Sequence, residues 1–196
     1  MHIDAAGLLD TAQFIASPNF DERPFDTEIR LLVIHNISLP PNEFGGNGVI
    51  ELFTNQIDPQ AHPYYQSLQG LKVSTHFFIR RDNTVIQFVP CTKRAWHAGV
   101  SSWQGKDCCN DYSIGIELEG SDITPFTDAQ YTTLISLTKC LCGHYPIRHI
   151  AGHSDIAPDR KTDPGPYFDW RRYTSGISHG DLFRADEHVS IGHEKP

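Results

Sequence analysis

Four consecutive apolar residues, Leu31-Leu32-Val33-Ile34, followed at once by His35, constrain this chain more than any other stretch. Successive side chains of a strand point to opposite faces, so an unbroken apolar run predicts a strand buried on both sides. His35 then stands at the carboxyl end of that strand, where open α/β sheets gather their functional groups.

The neighbouring segments extend this frame. Asn42 to Gly48 is a glycine-rich flexible loop, Val49 to Gln56 a short helix, and Pro59 to Pro63 a turn. Val73 to Arg81 and Thr84 to Val89 are β-rich runs joined by Asp82-Asn83, a hairpin turn pair. Ala95 to Asn110 reads as loop. From Tyr112 to Glu119 the pattern alternates, with Ile114, Ile116 and Leu118 on one face and Ser113, Gly115, Glu117 and Glu119 on the other. A helix begins at Thr127, which forms a capping-box pattern with Gln130, and Gly143 with Pro146 ends it. Ile147 to Ala151 is a short strand feeding a loop that opens at His153, and the polar stretch from about Ser175 reads as a mobile tail. Interleaved strands and helices with a central hairpin predict an α/β fold, a mixed sheet flanked by helices, in one domain over residues 1–175.

The 196 residues suit a single core, and 39% hydrophobic with 20% charged residues is ordinary for a soluble globular protein. A formal net charge of −8 argues against nucleic acid or an anionic membrane as partner. No export signal and no transmembrane run is evident. Five cysteines without a Cys-x-x-Cys pair do not make a disulfide framework and fit a reducing cytoplasm.

The chemistry concentrates in His153-Ser-Asp-Ile-Ala-Pro-Asp-Arg-Lys161-Thr-Asp163-Pro-Gly-Pro. His153 and Asp163 are zinc-type ligands, and His35 supplies the third. Two histidines and a carboxylate with a fourth position for water form the ligand set of a hydrolytic zinc site. His149 is rejected as a partner of His153, because four residues of strand separate the two by roughly 13 Å. His179, His188 and His193 fall in the tail. Lys161, two residues from Asp163, would steady an oxyanion. Glu117 is the first choice as general acid/base; a solvated strand carboxylate is the equal alternative, and Glu119 on the same face competes with it.

The ordered set Leu-Val-Ile-His35-Asn36, Val73-Ser-Thr-His76-Phe-Phe-Ile-Arg-Arg-Asp-Asn, Ala95-Trp-His97-Ala-Gly and Tyr112-Ser-Ile-Gly-Ile-Glu117-Leu-Glu resembles the zinc N-acetylmuramoyl-L-alanine amidases, over about residues 30 to 170. That family shares its fold with peptidoglycan-recognition proteins. The segments after His35, from Lys93 to Ser102, and from Arg160 to Pro166 resemble its cytoplasmic AmpD branch, which hydrolyses 1,6-anhydro-N-acetylmuramoyl peptides in cell-wall recycling. The resemblance implies one zinc ion per chain on His35, His153 and Asp163, Glu117 as activator of water, and Lys161 as transition-state stabiliser. It places Asn36, Trp96 and His97 in motifs of the substrate cleft. The implied partner is a small muropeptide, with no nucleic acid or membrane, for a monomer.

Two positions depart from the family pattern. Lys72 stands where an arginine is expected, which keeps the charge but loses the bidentate fork. Lys106-Asp-Cys-Cys109 occupies the place of a second basic residue. A catalytically silent recognition module and an exported amidase acting on intact cell wall are the competing expectations. The complete ligand set speaks against the first; the missing export signal and unpaired cysteines speak against the second.

Overall fold

The computed structural model describes residues 1–177 and 183–184. In chain order the described strands are β1 (Gln13–Phe14), β2 (Phe20–Glu22), β3 (Leu31–Ile37), β4 (Phe77–Ile79), β5 (Val85–Gln87), β6 (Lys93–Ala95), β7 (Ser102–Trp103), β8 (Lys106–Asp107), β9 (Ser113–Glu119), β10 (His149–Gly152) and β11 (Phe183–Arg184). The helices are α1 (Gly48–Phe53), α2 (Asp128–His144), α3 (His153–Ile156) and α4 (Trp170–Ile177). Seven strands form one sheet in the order β1-β5-β4-β9-β3-β10-β11. Only the β4–β5 pair is antiparallel, so the sheet is mixed, as the sequence predicts.

The apolar run sits near the middle of this sheet, with β3 between β9 and β10. Leu32 and Ile34 face α2 and α4 and pack with Ile114, Ile116, Ile150, Leu134, Leu137 and Tyr173. Leu31 and Val33 face the other way, against Ala151, Cys109 and Tyr112. Beyond them on that side, Phe78 and Ile86 pack on Leu52 and Phe53 of α1. Burial of each such side chain contributes roughly 1.5–3 kcal/mol, so a polar residue anywhere in the run would be strongly destabilising. The alternation of β9 does not mark a solvated face, because all seven residues from Ser113 to Glu119 are buried.

Helix α2 starts as its cap predicts: Thr127 Oγ1 accepts from Gln130 N at 3.2 Å, and Gln130 Oε1 accepts from Thr127 N at 3.0 Å. Gln130 Nε2 also donates to the Ile79 and Glu119 carbonyls, tying the helix start to the ends of β4 and β9. The helix runs one residue past Gly143 to His144, and Tyr145 is extended (φ −117°, ψ 152°), as the following Pro146 requires. The Asp82-Asn83 turn is present, with Asn83 at φ 77° and Asp82 Oδ1 accepting from Thr84 N at 3.0 Å.

Four local expectations are corrected. The stretch from Ala95 to Asn110 contains a small hairpin, β7–β8, turning at Gln104 and Gly105 with φ of 50° and 76°. His153 opens a helical turn rather than a loop. Ser175 to Ile177 belong to α4. The glycine-rich loop is held in place: Glu119 Oε1 accepts from Gly45 N at 2.5 Å, and Arg80 donates to the Gly45 and Gly46 carbonyls. Of the expected tail, residues 178–182 and 185–196, with His179, His188 and His193, lie outside the described residues.

Candidate metal and catalytic site

The sheet register assembles half of the site. His35 on β3 pairs with Glu117 on β9 in parallel, so both side chains leave the same face at the same level. Strand β10 pairs Gly152 with Ile34, which delivers His153 to the level of His35. The chain after α3 then returns, with Ser154 N donating to the Asp163 carbonyl at 2.9 Å. His149 pairs with Leu31 at the far end of β10, beside the ring of Trp103, and is not a member of the cluster.

His35 Nδ1 lies 3.0 Å from His153 Nδ1, and both are 3.1 Å from Asp163 Oδ2. This triangle of edges resembles the spacing of donors on one tetrahedral zinc, about 3.3 Å for ligand distances of 2.0–2.1 Å. His153 Nε2 is 3.1 Å from the Ala98 carbonyl, which can only accept. Its proton therefore sits on Nε2, and a bare Nδ1 lone pair faces the cluster. Burial lowers the pKa of His35 to about 4, helped by the neighbouring His153 and opposed by Asp163. Burial alone would raise Asp163, but the imidazoles of His153 and His35 beside its Oδ2 hold it well below the usual carboxylate range. Neutral imidazoles and an ionised carboxylate are the forms that ligate a metal. The donor set fits a divalent cation of the zinc type.

Glu117 Oε1 is 3.9 Å from His35 Nδ1, and its Oε2 is buried with no hydrogen-bond partner. Burial raises its pKa well above the ordinary 4.5, the Asp163 charge adds to this, and Lys161 opposes it. A carboxyl tuned upward can take and return a proton near neutral pH. Glu119 is committed elsewhere, since its second oxygen accepts from Arg81 N at 2.9 Å in addition to the Gly45 contact. Glu119 is therefore the less available of the two carboxylates.

Glu117, Lys161 and Asp163 line one cleft of about 530 Å³, whose other walls include Trp96, Tyr64 and Leu39. Trp96 is half-buried in that wall. Asn36 also borders the cleft, but its amide is engaged: Nδ2 donates to Asp122 Oδ1 at 2.7 Å and to the Pro164 carbonyl at 3.0 Å. Thr162 Oγ1 donates to the other Asp122 oxygen at 2.5 Å, so Asp122 brackets the segment that carries Lys161 and Asp163. His97 packs edge-on against His35, 5.1 Å between centroids, with Nδ1 3.0 Å from His35 Nε2. Lys72 lines an adjoining depression of about 270 Å³ rather than this cleft. Lys106 lies over the Tyr112 ring at 4.3 Å and is not among the cleft residues. Asp122 and Thr162 carry no sequence signal of their own, because the partners they join are 36 and 162 residues into the chain and meet only in the fold.

The N-acetylmuramoyl-L-alanine amidase model (Amidase_2) matches residues 25–166. The chain belongs to this amidase family. A 1,6-anhydro-N-acetylmuramyl-L-alanine amidase AmpD from Enterobacter cloacae is 57% identical over 169 residues, covering 85% of this chain and 90% of the relative. The crystal structure of an AmpD selenomethionine derivative superimposes with a TM-score of 0.88 at 54% identity, covering 91% of this amidase and 100% of that chain. AmiD from E. coli, solved as a complex with anhydro-N-acetylmuramic acid-L-Ala-D-gamma-Glu-L-Lys, matches at 29% identity with a TM-score of 0.56, covering 81% of this chain and 65% of AmiD. The peptidoglycan-recognition protein PGRP-SA of Apis mellifera shares the fold alone (TM-score 0.59, 13% identity, 88% and 98% covered). The peptidoglycan-recognition-like α/β fold expected of the amidase is thus the one observed. Among the described residues no helix is long and apolar enough to cross a membrane.

Proposed function

We propose that this amidase hydrolyses the amide bond between 1,6-anhydro-N-acetylmuramic acid and the L-alanine of the stem peptide, using one zinc ion held by His35, His153 and Asp163. The observation that carries this reading is the convergence of those three donors within 4.8 Å of one another beside the buried carboxyl of Glu117. Likeness to the AmpD enzymes supports the anhydro-muropeptide as substrate.

A bound zinc ion would act as a Lewis acid toward the amide carbonyl and lower the pKa of a coordinated water. Glu117 takes the proton from the attacking water, its raised pKa matching it to that task. As the carbonyl carbon becomes tetrahedral, the Lys161 ammonium, which faces the same cleft, stabilises the negative oxygen. Glu117 then delivers its proton to the alanine nitrogen, the C–N bond breaks, and the products are anhydro-N-acetylmuramate and the free peptide. Trp96 offers a ring face to the substrate in the cleft wall, and Lys72 in the adjoining depression meets carboxylates farther along the peptide. Asn36 and His97 border the cleft, and the partners they already hold fix their orientation there. Five free cysteines fit a reducing compartment and support a cytoplasmic location.

Mass spectrometry of the purified protein incubated with an anhydro-muropeptide, with and without a chelator, tests the reading. Release of anhydro-N-acetylmuramate and free peptide only without chelator is expected. Intact substrate in both arms would leave a recognition module in its place; faster cleavage of intact sacculi would favour an exported wall amidase.

A further inference from the structure

Behind the ligand cluster runs a row of hydrogen bonds whose direction is readable from one end. The Ser113 hydroxyl is 2.6 Å from the Cys109 carbonyl oxygen, which can only accept, so the hydroxyl proton points there. The Ser113 oxygen must then accept from His97 Nε2, 3.0 Å away. A neutral His97 protonated on Nε2 has a bare Nδ1, and that atom lies 3.0 Å from His35 Nε2. His35 therefore carries its proton on Nε2 and turns a bare Nδ1 toward His153 and Asp163.

The row is built into rigid parts. Ser113 and Gly115 lie on β9 four and two residues before Glu117, on the same face. A Cβ on Gly115 would fall 2.5–2.8 Å from three atoms of the His97 ring, so the ring rests directly on the strand backbone. Asn110 Oδ1 accepts from both His97 N and Ala98 N, at 3.1 and 2.8 Å, which fixes the main chain that carries the imidazole. Running the row backwards would break the 2.6 Å bond to Cys109 and place a proton on His35 Nδ1, inside the ligand triangle.

We propose that Ser113 and His97 are positioning residues that set the tautomer of His35 and thereby the metal affinity of the site. This rests on His35 as a metal ligand and extends the reading to residues that do not themselves ligate the metal. Partners of this kind are worth about 10- to 100-fold in metal affinity.

Long-range proton–nitrogen NMR of the metal-free, nitrogen-15-labelled protein reads the tautomer, and competition with a chromophoric chelator reads the zinc Kd. The wild type should show His35 protonated on Nε2. Ser113→Ala and His97→Phe should give a mixed or reversed His35 tautomer with zinc binding about 10- to 100-fold weaker. His97→Asn, whose side-chain oxygen can sit where Nδ1 sat, should keep the tautomer and stay within a few-fold of wild type. A wild-type His35 protonated on Nδ1, or a Ser113→Ala protein with unchanged tautomer and Kd, would overturn the proposal. A wild type that holds the Nε2–H tautomer yet binds no zinc would overturn the ligand reading instead.

Discussion

Withdrawing metal should leave the folded protein sensitive to mild acid, and the size of the effect follows from which buried groups refuse a proton. Burial holds His35 at about 4 against an ordinary 6.5, and also holds His76 and His97 well below 6.5. In the unfolded chain all three take up protons as the pH falls through about 6.5. Between there and about pH 4 the unfolded state binds more protons than the folded one. Stability therefore falls with falling pH, by up to ~1.4 kcal/mol per pH unit for each histidine. Glu117 works against this, because its folded pKa lies well above 4.5 and the folded state gains its proton first. Asp163 contributes only at lower pH, since its stabilisation is present above the unfolded carboxylate value and lost below it.

From pH 7 to pH 5 His35 removes roughly 2 kcal/mol, His76 and His97 act in the same direction and Glu117 opposes them, so a net loss of stability is expected. Urea unfolding in excess chelator, repeated at half-unit pH steps, measures it. Glu117→Gln removes the opposing titration and should lose more stability than the wild type over the same interval. A metal-free protein equally stable at pH 7 and pH 5 would refute the assignment of three neutral, buried imidazoles.

Glu117→Ala should retain one zinc per chain by elemental analysis while turnover falls by about 10²- to 10⁴-fold; an unchanged rate would exclude Glu117 as the proton carrier. Asp122→Ala removes the acceptor shared by Asn36 and Thr162. It should lower turnover about tenfold or more while moving the melting temperature only a few degrees, because these bonds lie at the cleft rim and not in the core. Glu119→Ala strands two backbone N–H groups, of Gly45 and Arg81. A loss of about 3 kcal/mol is expected in denaturant titration, with zinc content unchanged; the opposite pattern would return Glu119 to the list of candidate bases.

The parts legible in the sequence were those written locally. The apolar run predicted the buried strand because no alternation interrupts it, and Thr127 with Gln130 predicted the helix start because both members of the cap lie within one turn. The ligand residues stood out through chemistry and through family likeness together, since His35, His153 and Asp163 are up to 128 residues apart. What escaped notice depends on pairs that only folding creates. Ser113 and Gly115 were placed on the correct face of their strand, yet nothing nearby announces that an imidazole from position 97 lies across them. The β7–β8 hairpin was hidden because its turn puts Gln104 at positive φ, a place usually signalled by Asn or Gly. The end of helix α4 has no local sequence signal, because its register is set by packing on α2, where Tyr173 meets Thr138 at 2.6 Å.

With Glu117 as the proposed proton carrier and His35 as a proposed ligand, their parallel pairing makes activity an all-or-none report on sheet alignment. Sliding β9 by one residue would turn Glu117 to the helix-covered face, and sliding it by two would carry the carboxyl about 6.6 Å away from the His35, His153 and Asp163 cluster. No gradual drift connects those states, because backbone hydrogen bonds permit only whole-residue steps. A refolded preparation with half its wild-type specific activity should thus be a mixture of native and silent molecules, not a uniform population of impaired ones. Counting turnovers per bound metal would then count correctly zipped chains.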